Sequence, residues 1–201
     1  MGTMTGVFTS LGAKVVAADA NEDCVRHIAL TTSRAEVQLV HAAVGATNGE
    51  AVLKVSDRKD KMSSLSDEWR EAASTANQNY AGMWNREVTV PMLTTDALVE
   101  RFGLPFYTKI DVEGYEDQMI AGLTKCPQLL SFEFNTVFLE PAKRALDSSV
   151  FNGARFNYTL VDPVKFELPD WVSRDELASR IMDPKFASGV GDIFVQKGIR
   201  D

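Results

Sequence analysis

AKVVAADANEDCVRHIALTT, residues 13–32, carries the pattern on which the fold turns. The run from Ala13 to Ala18 is apolar apart from Lys14 and is closed by Asp19. A short apolar run ending in an acid predicts a buried strand of a parallel sheet. From Asn21 onward acids fill the first turn, and Val25, Ile28 and Ala29 recur at helical spacing, so a helix follows. EVQLVHAAVGA then predicts a second strand from Val37 to Val44. After the Asn48–Gly49 pair, AVLKV alternates like the return arm of a hairpin.

The same alternation continues downstream. VTVPML leads into TTDALVERFG, where Thr94 or Thr95 caps a helix that Gly103 stops. Leu104 to Val112 is the next strand, and EGYEDQMIAGL the next helix, with Tyr115, Met119, Ile120 and Leu123 on one face. LLSFEFN is a further strand, followed by a helical stretch near Pro141 to Phe151. FNYTLVD and DIFVQK supply two late strands, with a short helix near Asp175 to Ile181 between them. Strands alternating with helices predict an α/β fold. The expected architecture is a mostly parallel, Rossmann-like sheet with helices on both faces and an antiparallel last strand. Ser56 to Glu87 interrupts the pattern as a polar insertion carrying Trp69, Tyr80 and Trp84, with one short helix near Leu65 to Ala73. It is expected to lie over a pocket mouth of an otherwise single domain.

Composition narrows the function. The chain has 201 residues, and its 21 basic and 28 acidic residues leave a formal charge of −7. That balance argues against broad binding to a nucleic-acid backbone, which needs basic surface. No apolar run approaches the ~18 residues of a membrane span, and the first residues do not resemble a signal peptide. The two cysteines, Cys24 and Cys126, stand far apart without a partner motif, as in a reducing compartment. A cytoplasmic protein without membrane or nucleic-acid partners is the expectation.

In parallel sheets ligands bind at the carboxyl ends of the strands, which is where the chemically costly residues fall. Asp19 closes its strand where an acid can accept both hydroxyls of a ribose, or else cap the following helix. Gly2 and Gly6 suit a backbone that passes close to a cofactor. TKIDVEGYED, residues 108–117, is the strongest local signal: by the two-residue period of a strand, Lys109, Asp111 and Glu113 share a face, and Glu116 follows. Carboxylates and a lysine at a strand end are costly to bury unless they pair or bind something. Close carboxylates also push one another's pKa upward, which makes a general base usable near neutral pH. Glu133 and Asn135 of SFEFN share a face and reach toward the same cleft. Asp, Glu and Asn together would suit magnesium, but mutual hydrogen bonding is the commoner arrangement, and no metal is expected. His41 is read as a base, a substrate contact or a satisfied core histidine.

On these residues the chain resembles the FkbM family of S-adenosylmethionine-dependent methyltransferases. GTMTGVFTSLGAKVVAADAN is similar to the family's glycine turn, helix and acid-ended strand; HAAVGATNGEAVLKV to its Ala-Gly segment and hairpin. VTVPMLTTDALVERFGLPFYTKIDVEGYEDQMIAGL is similar to its Thr-rich helix start and KIDVEG strand, with SFEFN and GDIFVQK in their expected places. The resemblance implies S-adenosylmethionine as cofactor. Gly2 would be the last glycine of the cofactor turn, Asp19 the ribose ligand, and Ala42 and Ala43 neighbours of the adenine. Lys109, Asp111 and Glu113 would line the reaction end, Asp111 also touching the cofactor. The family's opening strand and its Asp-x-Gly-Ala-Asn turn have no counterpart before Gly2, so a sheet without its first strand is expected.

The function implied is transfer of a methyl group to a hydroxyl of a small molecule or sugar, with the insertion recognising the acceptor and a homodimer among the expected assemblies. Two other readings stand beside it. One is a truncated relative that folds without catalysing. The other is an NAD-binding oxidoreductase, against which the absent G-x-G-x-x-G weighs.

Overall fold

Three sheets, one a parallel pair and two mixed, carry the chain with flanking helices in a computed structural model that describes residues 2–32, 36–56, 63–160, 165–183, 186 and 189–198. Gly2 precedes α1 (Thr3–Ser10) with φ 69°, a left-handed entry that favours glycine. Then come β1 (Val15–Asp19), α2 (Glu22–Thr31) and β2 (Val37–His41). Asn21 caps α2 through its side chain, which accepts from the Asp23 amide at 3.0 Å. The first sheet is the parallel pair β1–β2, with Asp19 opposite His41 at its carboxyl end.

The second sheet joins β7 (Tyr107–Ile110), β8 (Leu129–Asn135), β9 (Arg155–Leu160) and β10 (Val190–Gln196) in the order β7-β8-β10-β9. β7 and β8 run parallel, while β10 runs antiparallel to both of its neighbours. One face is the main core: Leu130, Phe132, Phe156, Ile193 and Val195 are wholly buried there. Against it lie α5 (Glu116–Ala121), α6 (Glu140–Leu146) and α7 (Arg174–Ile181), which bury Ile120, Leu146, Leu177 and Ile181. Phe132 stacks on Phe151 with centroids 6.2 Å apart. Each such side chain contributes about 1.5–3 kcal/mol of transfer free energy.

The third sheet departs from expectation. The run from Val37 to Val44 divides: β2 pairs with β1, and a separate β3 (Ala43–Gly45) pairs with β6 (Trp84–Thr94). β4 (Gly49–Ser56) is not the return arm of a hairpin on β3, because the long β6 runs between them, parallel to β3 and antiparallel to β4. Leu53, Val55, Val90 and Ala43 give this sheet a small core of its own, which holds β6 in the middle. β5 (Ser63–Ser64) adds to the free edge of β4. The predicted single, mostly parallel sheet is therefore replaced by one parallel pair and two mixed sheets. β1 and β7 each have a single sheet neighbour among the described strands.

The insertion contains β5, α3 (Asp67–Ala76) and a 3-10 turn at Gln78–Tyr80; residues 57–62 of it lie outside the described residues, as do the last two of FNYTLVD. α4 (Thr95–Phe102) is capped by Thr94, whose hydroxyl accepts from the Ala97 amide at 3.1 Å, and Gly103 ends it. Gly6, expected near a cofactor, lies inside α1. No helix among the described residues is long and apolar enough to cross a membrane.

The third sheet docks on the main core at one tight point. Gly122, after α5, leaves no room for a side chain: a Cβ there would strike the carbonyl oxygen of Gly45. The Thr95 hydroxyl donates to the Met119 carbonyl at 2.8 Å, and the Asp96 amide to the Gly122 carbonyl at 2.9 Å. Gly122→Ala is accordingly expected to destabilise the chain by about 1–3 kcal/mol, through overpacking against backbone that cannot yield. Urea unfolding measures it, and a midpoint equal to that of the unchanged chain would refute the docking role.

Candidate functional site

The parallel register of β1 with β2 and of β7 with β8 sets two acids at strand carboxyl ends, Asp19 and Asp111, close enough for their charges to act on each other. β7 ends at Ile110, so the strand period orders Lys109 but not Glu113, which a turn places instead. In that turn Glu113 (φ 51°) and Gly114 (φ 86°) are both left-handed. Glycine adopts this conformation freely, while a glutamate there costs on the order of 1–3 kcal/mol and persists only where neighbours hold it. Glu116 is one such neighbour. Its Oε1 accepts from the Gly114 amide at 3.2 Å and the Val112 amide at 3.4 Å, closing the turn at the start of α5.

Lys109 is the cation that the described residues bring into the cluster. Its Nζ donates to Asp192 Oδ1 at 2.5 Å and stands 3.9 Å from Asp111. Asp192 arrives on β10 directly opposite Glu133 of β8. The face of the second sheet turned away from the core therefore collects Lys109, Glu133 and Asp192, with Asp111, Glu113 and Glu116 at its rim. Burial works against the charge of Lys109, but Asp192 and Asp111 outweigh it and hold its pKa above the ordinary value.

The acids respond in the opposite sense. Burial, reinforced by Asp111 and Glu116, pushes Glu113 up to about 7. Burial lifts Glu116 to about 7 although three backbone amides oppose it. Glu133 reaches about 8, first through burial and then through Asp111, Glu113 and Glu116. Asp19 is raised by burial and partly relieved by the Asn21 amide, which donates to its Oδ1 at 2.8 Å. Burial and mutual repulsion outweigh the nearby ammonium, so the cluster holds protons near neutral pH and titrates as a coupled set.

The insertion touches the cluster at the Glu113–Gly114 turn. The Ser64 hydroxyl donates to the Glu113 carbonyl at 2.8 Å. Trp69 lies so close on Gly114 that a side chain there would overlap it. Trp69 meets the ring of Trp84 edge-on at 5.6 Å. Arg144 of α6 donates to Asp117 at 2.6 Å and reaches Glu68 at 3.4 Å, tying α3, α5 and α6 together. A small cavity of about 10 Å³ remains beneath, lined by Trp69, Gly114, Glu116, Glu133, Asn135 and Phe138 among others. A larger hollow of about 480 Å³ is formed around α7 by Glu176, Ser179, Arg180, Asp183 and Phe186, and shares none of these groups.

The predicted residues fall into two sets. Lys109, Asp111 and Glu113 come together, with Glu116 and Glu133, and Asp19 adjoins them through Asp111. Ala42 and Ala43 are buried beside the end of β1, where the Ala42 amide donates to the Asp19 carbonyl at 3.2 Å. Gly2 stands against α2, where an added Cβ would meet Ile28 and His27. His41 Nε2 lies 3.1 Å from the Ala20 carbonyl. Among the described residues no group of three or more His, Cys, Asp or Glu is arranged to hold a metal ion.

Three contributors were not foreseen as part of the site. Asp192 had a faint signal, an acid within the alternating strand VGDIFVQ. Ser63 and Ser64 had none, since their partners lie 42 and 49 residues away. The model of a family described as a methyltransferase FkbM domain matches residues 5–154. No curated protein and no solved structure matches the chain.

The raised acids fix the sign of a pH effect. Glu113, Glu116 and Glu133 have folded pKa values above the ordinary 4.5, so between about 4.5 and 8 the folded chain holds more protons than the unfolded one. Their contribution is complete below that window and is lost as pH rises through it. Glu133→Gln, neutral at every pH, should raise the Tm by roughly 2–4 °C at pH 8.5 and change it little at pH 5. Melting curves at the two pH values check this; an equal shift at both would remove the charge explanation.

Proposed function

The chain belongs to the FkbM methyltransferase family, and on that premise we propose that it is an S-adenosylmethionine-dependent O-methyltransferase acting on a hydroxyl of a small molecule or sugar. The observation that supports this most is the approach of Asp19, at the end of β1, to the Lys109–Asp111–Glu113 turn at the end of β7. The donor set suits the cofactor. Asp19 is an acceptor oriented by the Asn21 amide for vicinal hydroxyls, and an acid-rich rim favours a ligand carrying ammonium and sulfonium charges. When bound, the cofactor supplies a methyl group activated by its sulfonium.

The chain's own residues supply the rest. Asp19 holds the ribose, Ala42 and Ala43 border the adenine, and Gly2 lets the backbone approach. Asp111 meets the cofactor's charged end. Glu113, poised near 7, accepts the proton that the acceptor hydroxyl loses. Lys109 keeps Asp111 and Asp192 in place and limits their mutual repulsion. Alignment in a closed site supplies ~7–11 kcal/mol of barrier reduction at best, and a positioned base about 10²–10⁴-fold in rate.

We also propose that β2–β1 and β7–β8–β10–β9 are two parts of one Rossmann-like sheet, which a parallel strand between β1 and β7 would join. The single neighbour of each and the closeness of their carboxyl ends support this. A cytoplasmic setting, supported by two unbridged cysteines, completes the reading.

Calorimetric titration of S-adenosylmethionine and S-adenosylhomocysteine, with NAD as control, tests the proposal. Micromolar binding that Asp19→Ala abolishes is the expected result; a folded chain that binds neither would favour the inactive relative, and preference for NAD the oxidoreductase. Once an acceptor is found, Glu113→Gln should lower turnover about 10²–10⁴-fold and remove the rise in rate near pH 7. If Asp111→Asn and Glu113→Gln both leave turnover and binding unchanged, these roles are wrong.

A further inference from the structure

Two consecutive serines touch both halves of the site. Ser63 Oγ accepts from the Asn21 side-chain amide at 3.0 Å, and Asn21 in turn gives its backbone amide to Asp19. Ser64 Oγ donates to the Glu113 carbonyl at 2.8 Å and accepts from the Ser66 amide at 2.9 Å. Successive strand residues point to opposite sides, so a two-residue strand can serve two loops at once. β5 is itself fixed on the edge of β4, with Ser64 opposite Lys54 and Ser63 opposite Val55. Asn21 and Ser64 are both buried, at 6% and 1% exposure, so neither bond competes freely with water.

The segment that follows closes the arrangement. Ser66 caps α3 by accepting from the Trp69 amide at 3.1 Å, and that cap delivers Trp69 onto Gly114. The left-handed Glu113 is thus held on three sides: by Ser64 at its carbonyl, by Trp69 over the next residue, and by Glu116 at the next amide. A strained glutamate that neighbours hold so fully is a device for aiming a carboxyl group.

We infer that Ser63, Ser64 and Trp69 form a clasp that holds the Asp19–Asn21 loop and the Glu113–Gly114 turn at a fixed separation, making them positioning residues of the site. The assignment of those two loops to cofactor and proton acceptor rests on the function proposed above; the clasp itself rests on the contacts. The insertion therefore does more than touch the acids. It couples the ribose end of the site to the reacting end, and movement at one loop is felt at the other.

The coupling is measurable as an effect at a distance in the full chain. Carboxyl-¹³C glutamate, with the Glu113 resonance assigned through Glu113→Gln, reports the titration of Glu113. Ser63→Ala, altered at the Asn21 end, should move that titration by roughly half a unit. Ser64→Ala, altered at the Glu113 end, should weaken S-adenosylhomocysteine binding about 3- to 10-fold, the worth of one hydrogen bond, and Ser64→Thr should restore it. Trp69→Ala should also move the Glu113 titration, and Trp69→Phe should keep most of the native titration. If Ser63→Ala leaves Glu113 unmoved while the variant remains folded, there is no clasp. A native chain that binds no S-adenosylhomocysteine would instead remove the proposed function, and the Ser63-to-Glu113 effect would then decide the clasp alone.

Discussion

Among the described residues Lys109 is the one cation set within the carboxylates, and the site is built around that imbalance. Its ammonium pairs with Asp192 and lies near Asp111, and no ion pair among the described residues reaches Glu113, Glu116 or Glu133. Unpaired buried charge costs far more than a surface ion pair returns, so these groups answer by keeping protons. Hydrogen bonds make that tolerable: amides at the turn feed Glu116, and a serine steadies the Glu113 carbonyl. A protonated carboxyl beside an ionised one is a donor next to an acceptor, a useful state for a site that must move a proton.

The parts of the fold that depend on local pattern were legible in the sequence. Thr94 caps α4 as its residue type indicates, Gly103 ends it, and LLSFEFN and DIFVQK are strands, whereas the cap of α2 is Asn21 and not Asp19. Sheet partnership was not legible. VHAAVG reads as one strand-like run, yet it divides because His41 follows β1 whereas Ala43 follows β6, and nothing in six residues specifies a partner as distant in sequence as Met92. The hairpin expected at Asn48–Gly49 failed for the same reason: β6 offered β4 a longer ladder than three residues of β3 could. Asn48 still works at the turn, its side chain accepting from the Thr94 amide at 2.8 Å.

The site divides along the same line. Lys109, Asp111 and Glu113 announce themselves because charged groups are out of place at the end of an apolar strand. Asp192, Ser63 and Ser64 are ordinary residues in ordinary settings, and only the chain's long-range path gives them partners. Glu113 was foreseen for a partly mistaken reason. A strand period was invoked to bring it alongside Lys109, whereas a left-handed turn does so, and the glycine that permits the turn stands next in the motif.

β1 has a consequence for the chain in bulk. Its five residues are apolar until Asp19, yet none is fully buried, and Val16 is 41% exposed. A short strand whose one ionisable residue is its last, and whose second edge is unpaired among the described strands, offers amides and carbonyls to any strand that approaches. Neither a lysine nor a proline within β1 discourages such a visitor. What opposes it is long-range: a net charge of −7 keeps copies apart, and salt shortens that repulsion to about 10 Å at 0.1 M. Salt thus weakens what opposes a visitor at this edge, independently of anything that happens at the acid cluster.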